Sequence, residues 1–195
     1  MYYTLNIENP DKLFITSDLH FGHFNICKYC HRPFTSRSDM DNTLIENWNS
    51  VVPEDGIVVC CGDFMLIHKP NTEAYLKFMK KLNGNILLIR GNHDRIPLNE
   101  SPNGKLIAVV DKAFIEVDGV KIYAEHYPCC AFNGDYQVFG HIHTLNDGTC
   151  YGIDGDVPAK LRKNQYDVGV DQNNYRPISY WELCDIFRNK ACGRM

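Results

Sequence analysis

Three short apolar runs in this chain each stop at residues able to bind metals or move protons. Lys12–Ser17 is followed by Asp18-Leu19-His20-Phe21-Gly22-His23, Ile57–Cys61 by Gly62-Asp63, and Ile86–Ile89 by Arg90-Gly91-Asn92-His93-Asp94. Two further clusters lie beyond them, His126 and then His141-Ile142-His143 after the run Tyr136–Phe139. Each is commonplace alone: a lone His-x-His is commonly a surface pair, and an Asn beside a Gly is commonly a turn. Together they hold six of the eight histidines, all at the ends of strand-like runs, and packing does not require that.

The donor types define the chemistry. Carboxylate, imidazole and one carboxamide make a mixed oxygen and nitrogen set, which suits Mn²⁺, Fe, Zn²⁺, Ni²⁺ or Co²⁺ better than Ca²⁺. In extended chain, residues two apart point the same way, so Asp18 with His20, and His141 with His143, are each expected to offer two side chains to one centre. Sites in α/β proteins form beyond the carboxyl ends of strands, where clusters distant in sequence can converge.

The elements that must position these residues are legible in outline. Lys12–Ser17, Ile57–Cys61 and Ile86–Ile89 predict buried strands. A helix is expected between the first two, capped by Ser38 and carrying Met40, Leu44, Ile45 and Trp48 on one face to about Ser50. A second helix opens at Asn71 or Thr72, carries Tyr75, Phe78, Met79 and Leu82, and is expected to stop at Gly84. That order argues for an α/β core.

The second half is richer in strand signals. Asp118-Gly119 between Phe114–Val117 and Val120–Ala124 predicts a hairpin. Tyr136–Phe139 and Asp167–Val170 predict two more strands, and Ser179 with Glu182 predicts a capping box opening a last helix to about Phe187. No repeat or linker-like break interrupts the chain, so one domain over residues 1–195 is expected.

Composition narrows the function classes. With 20 Lys+Arg against 24 Asp+Glu the net charge is −4, which excludes a strongly basic nucleic-acid coat, and 44% apolar residues suffice for a sizeable core. No segment approaches the roughly 18 consecutive apolar residues of a membrane span, and no export signal is evident at Met1–Asn6, so a soluble, cytoplasmic protein is expected. Cys27-Lys28-Tyr29-Cys30-His31 has the form used for haem attachment, but without an export signal that chemistry has no context. A zinc ribbon would need a second such pair. Cys27 and Cys30 are expected on one face of a short helical turn, and the nine cysteines are expected to be mostly buried, reduced thiols.

The ordered set Asp18-Leu19-His20, Gly62-Asp63, Gly91-Asn92-His93-Asp94, His126 and Gly140-His141-Ile142-His143 resembles the signature of the calcineurin-like metallophosphoesterases. The longer form Asp18–His23, with Arg32-Pro33-Phe34 soon after, is similar to a group of small bacterial and phage phosphoesterases. The resemblance implies an α/β fold, a four-layer sandwich of two face-to-face mixed β-sheets flanked by helices. It also implies two divalent transition-metal ions, Mn foremost with Fe, Zn, Ni or Co as alternatives. One would be held by Asp18, His20 and His143, the other by Asn92, His126 and His141, with Asp63 bridging. Relatives tend to have a small residue before the ligand corresponding to His126, where this chain has Glu125.

The implied reaction is hydrolysis of a phosphate mono- or diester by in-line attack of a metal-bridging hydroxide. His93 is the candidate acid for the leaving group, with Asp94 expected to hold its other ring nitrogen. His23 and Arg32 are candidates to contact substrate phosphate, Asp171 has a structural or orienting role, and His31 and His68 have none assigned. The modest charge favours a small phosphorylated metabolite or nucleotide over long nucleic acid, and no membrane partner is expected. The competing readings are a small metal-dependent nuclease and a non-catalytic metal-bound scaffold of the same fold.

Overall fold

The apolar runs of the first half become strands because both of their faces find cover. A computed structural model describes residues 3–67, 69–99, 104–145, 150 and 161–193, so His68 and Met1–Tyr2 lie outside the described residues. Strands β2 (Leu13–Thr16), β3 (Ile57–Cys60) and β4 (Asn85–Ile89) pair in parallel, and β5 (Leu106–Val110) extends them. Alternate residues serve different layers. Ile15, Val59, Leu87 and Ile89 enter the core between the sheets, while Phe14, Val58, Cys60, Ile86 and Leu88 face a helical layer. A continuous apolar run is what a strand buried on both faces needs.

That helical layer is α1 (Asn25–Tyr29), α2 (Arg37–Val51) and α3 (Thr72–Met79). Met40, Leu44 and Trp48 of α2, spaced at helical intervals, join Tyr75 and Met79 of α3 over the sheet. Cys27 and Cys30 are both buried here and all the described cysteines are unpaired, but the expectation of mostly buried thiols fails, since Cys130, Cys150 and Cys192 are exposed on loops or at a helix end. The α2 cap is Ser36, whose side chain accepts from Asp39 N at 3.1 Å, rather than Ser38, which falls inside the first turn. Helix α3 ends at Met79, short of Gly84. Gly84 instead turns the chain into β4 at φ +78°, close against the Gly56 carbonyl, while Leu82 is buried beyond the helix end.

The other sheet runs β1 (Tyr3–Ile7), β6 (Lys112–Val117), β7 (Val120–Glu125), β8 (Tyr136–Phe139) and β9 (Gln165–Asp167). The β6–β7 hairpin is antiparallel, and the remaining pairs are parallel. The run expected as a strand over Asp167–Val170 is shifted: β9 ends at Asp167, and Val170–Gln172 forms a short 3-10 turn. Strand β10 (Ile178–Ser179) lies antiparallel to β2, and α4 (Tyr180–Ala191) follows with both halves of its capping box formed. Tyr180, Leu183 and Phe187 of α4 complete the inter-sheet core, Phe187 stacking on Tyr136 with centroids 4.0 Å apart.

The expected pair of mixed sheets with flanking helices is therefore present, with the helices unevenly placed. Among the described residues α1–α3 cover one sheet, and the outer face of the other carries Phe132 stacked on Tyr123. None of the described helices is long and apolar enough to cross a membrane.

Candidate metal centre

The carboxyl ends of β2, β3, β4, β7 and β8 open on one edge of the sandwich, and the loops beyond them continue the ladder. Asp18 N donates to Gly62 O at 3.0 Å and His20 N to Asp63 O at 2.9 Å; from the other sheet, Gly140 N donates to His126 O at 3.0 Å. The backbone then turns sharply. Asp18, His20, Asp63, His141 and His143 all have φ between +47° and +72°. Non-glycine residues rarely adopt this region, although Asp and His tolerate it better than most, and each costs on the order of 1–3 kcal/mol. The extended geometry expected for Asp18–His20 and His141–His143 is therefore replaced by left-handed turns, which bring both members of each pair to the same centre.

Asp18, His20 and His143 place one ligand atom each within 4.8 Å of one another, as do Asp63, His126 and His141. Asp63 joins the groups: its Oδ2 lies 3.5 Å from His20 Nε2 and 3.6 Å from His126 Nε2. Asn92 Oδ1 completes the second set, 2.8 Å from His126 Nε2 and 3.0 Å from His141 Nδ1. All seven candidate ligands thus converge.

The donor set fits cations. His126 Nδ1 lies 2.8 Å from the Cys61 carbonyl, which only accepts, so the ring proton sits there and the Nε2 lone pair faces Asp63 Oδ2 and Asn92 Oδ1. The acceptor atoms of three side chains converge there. Burial compounds this. It pushes the Asp18 carboxyl up to about 7, with Asp167 and Asp171 adding to the effect against the opposing pull of His143. Asp63 also rises well above the carboxylate range, through burial and then Asp18. Burial lowers His126 to about 3 and His20 well below its usual value. Cations placed among these groups would reverse that logic, since their charge is the largest in such a site.

A model of the calcineurin-like phosphoesterases matches residues 12–132 of the chain. The chain belongs to the calcineurin-like phosphoesterase family. It is 33% identical to the uncharacterized protein MJ1445 of Methanocaldococcus jannaschii over 171 residues, 86% of each chain. The crystal structure of AQ665 from Aquifex aeolicus, a protein of unknown function, superposes with a TM-score of 0.64 at 22% identity, covering 89% of this chain and 98% of that one.

Within this calcineurin-like phosphoesterase, two candidate residues stand elsewhere than expected. Arg32 does not face substrate. Its side chain is fully buried beneath the centre, where Nε and Nη2 donate to Asp171 at 2.7 and 2.9 Å and the remaining bonds go to the carbonyls of Asp18 and Leu19 and to Met40 Sδ. Asp94 does not hold His93. Its carboxylate accepts from Gly91 N, Phe64 N, Met65 N and the Tyr75 hydroxyl at 2.9–3.4 Å, so it braces the loops that carry Asp63 and Asn92. His23, half-buried, places Nδ1 3.2 Å from His20 Nδ1, so it backs a ligand while it also lines a groove beside the centre.

His93 remains at the rim, half-buried, its ring 5.1 Å from that of His20 and its backbone N–H on Asp63 Oδ1 at 2.9 Å. Burial, with His143 and Arg95 adding to it, holds its imidazolium below the usual range. Glu125 turns away from the centre to accept from the Tyr123 hydroxyl at 2.6 Å. Sequence reasoning missed the orienting role of the Cys61 carbonyl. It left Asp171 undecided, yet Asp171 Oδ2 lies 2.8 Å from His143 Nδ1. A buried-strand ending followed by Asp was the only signal for it.

Proposed function

We propose that this protein is a phosphoester hydrolase with a binuclear divalent-metal centre, acting on a small phosphorylated metabolite or nucleotide. The observation that carries the reading is Asp63 Oδ2 between His20 and His126, within 3.6 Å of both, with Asp18 and His143 on one side and Asn92 and His141 on the other. Two bound cations, Mn²⁺ foremost, supply Lewis acidity for the phosphoryl oxygens and acidify the attacking water.

The chain's own residues do the rest. Asp18, His20 and His143 form one ligand set and Asn92, His126 and His141 the other. Hydrogen bonds from the His126 and His143 rings to Cys61 O and Asp171 fix which nitrogen faces the centre. His93, the half-exposed imidazole at the rim, donates a proton to the leaving oxygen. Its lowered pKa eases that release, and a bound phosphate beside it favours the charged form beforehand. Next to His23 a shallow groove lined by Phe24, Asn25, Arg37 and Leu66 accommodates the rest of the substrate. It contains one cation rather than a basic track, which supports a small substrate.

The test is a panel of p-nitrophenyl phosphate, bis-p-nitrophenyl phosphate, 2′,3′-cyclic nucleotides and single-stranded DNA with Mn²⁺ or Ni²⁺ added. Turnover of the small esters is expected. Preferential cleavage of DNA would make the protein a nuclease, and inert metal-loaded protein would make it a scaffold.

A further inference from the structure

Arg32 and Asp171 are buried at the bottom of the centre, yet neither belongs to the two proposed ligand sets, and the Arg32-Pro33-Phe34 stretch that marks the sequence has no part in the chemistry above. We infer that these two residues act as one positioning clamp, fixing a metal ligand from each sheet. The inference rests on the metal centre proposed above.

The guanidinium is fully used. Nη2 donates to Asp18 O at 2.6 Å and Asp171 Oδ2 at 2.9 Å, Nε to Asp171 Oδ1 at 2.7 Å, and Nη1 to Leu19 O at 3.1 Å and Met40 Sδ at 3.9 Å. On one side it therefore grips the peptide of Asp18, which follows β2 and sits at φ 56°. A carbonyl bond there holds the turn that aims the Asp18 carboxylate. On the other side it fixes Asp171, just beyond β9, whose Oδ2 takes His143 Nδ1 at 2.8 Å. That bond puts the ring proton on Nδ1 and leaves Nε2 facing His20 Nε2, 3.3 Å away.

Both clamp side chains are almost wholly buried, 0% and 1% exposed, so neither can reach substrate. Each needs the other, because a lone buried charge is not tolerated. Lysine cannot replace the arginine, since a single ammonium lacks the planar fork that spans a carboxylate and two carbonyls. No side chain of the second ligand set touches the clamp: His126 is oriented by Cys61 O, and the His141 ring meets Asn92, the one link being His141 N–H on the Asp18 carboxylate at 3.0–3.1 Å. Loss of the clamp therefore acts chiefly on one metal position.

Chelator-stripped full-length protein, titrated with Co²⁺ by calorimetry and visible absorption, tests this. The wild type is expected to give two binding events. In Arg32→Lys and Asp171→Asn one event weakens about 10–100-fold, in line with losing an outer partner of a ligand, and the other keeps its affinity. The double variant binds no more weakly than the weaker single, because the pair acts as a unit. Asn92→Ala weakens the opposite event. Folded variants that bind both ions as the wild type does, or that weaken both events equally, overturn the clamp. Should the variants fail to fold, the Zn²⁺-loaded wild type decides by NMR: a slowly exchanging His143 Nδ1–H is expected, and rapid exchange overturns the clamp. A wild type that takes up no metal fails the proposed centre and the clamp together, whereas two wild-type events with unaltered variants fail the clamp alone.

Discussion

Gly91 passes so close to Asp63 that a Cβ at position 91 would fall on the Asp63 carboxylate, 2.9 Å from its Cγ and nearer still to Oδ1. The glycine of the Gly-Asn-His-Asp motif is thus a spatial requirement of Asp63, the proposed bridge. Gly91→Ala is expected to displace Asp63 and weaken binding at both metal positions, and to cost about 1–3 kcal/mol through overpacking. Melting temperature and Co²⁺ uptake, measured together, check this. Unchanged uptake would show that Asp63 is not the bridge.

His93 offers a sharper test of chemistry. His93→Gln is expected to lower kcat by about 10²–10⁴-fold on esters with poor leaving groups, the usual contribution of a positioned acid. Little should be lost with p-nitrophenolate, which departs without protonation. Metal content should not change. Equal losses on both ester types would remove the assignment.

Metal binding should release protons in a pH-dependent way. In the metal-free protein burial pushes Asp18 to about 7. Burial also acts to lower His143, but the Asp18 and Asp171 carboxylates outweigh it and hold that ring well above the usual range. His20 and His126, lowered by burial, are already neutral. A ligand must shed its proton to bind, so loading near about pH 6 releases protons from Asp18 and His143, and near about pH 8 Asp18 no longer contributes. Affinity for Mn²⁺ therefore falls as pH drops through the region of 7. Calorimetry in buffers of differing ionisation enthalpy should find greater proton release at the lower pH. Equal release at both would contradict it.

Tyr75 separates stability from chemistry. Its buried hydroxyl lies 3.1 Å from Asp94 Oδ1 and Met65 O and accepts from Arg95 N at 2.9 Å. Tyr75→Phe leaves these partners unmatched and is expected to cost about 1–3 kcal/mol. Chemical denaturation should detect that loss while two metal ions still bind. A fall in metal stoichiometry without a fall in stability would give the Tyr75–Asp94 brace a direct role at the centre.

The three central strands and the clusters at their ends were legible because burial on both faces leaves continuous apolar runs, and each run stops where polar ligands begin. The hairpin and the closing helix carried local turn and capping signals. Strand β1 carried none of that force: only Ile7 is fully buried, and it pairs with β6, more than a hundred residues away. Arg32 was misread for a similar reason. A lone arginine after a histidine-rich loop looks like a phosphate contact, and what turns it inward is Asp171, 139 residues further on. Asp94 suits a partner for His93 by sequence adjacency, yet the folded loops bring four other donors to it first. Local pattern revealed which residues could do chemistry; long-range partners decided which way they face.

The distribution of ligands over both sheets also sets a timetable for biosynthesis. Asp18 leaves the ribosome well before His143, which follows more than a hundred residues later, and the carboxylate that steadies His143 comes at residue 171. A nascent chain can pair β2, β3 and β4 while its binding edge is still half built. Ion capture at the proposed centre would therefore have to wait until strands of both sheets have been made.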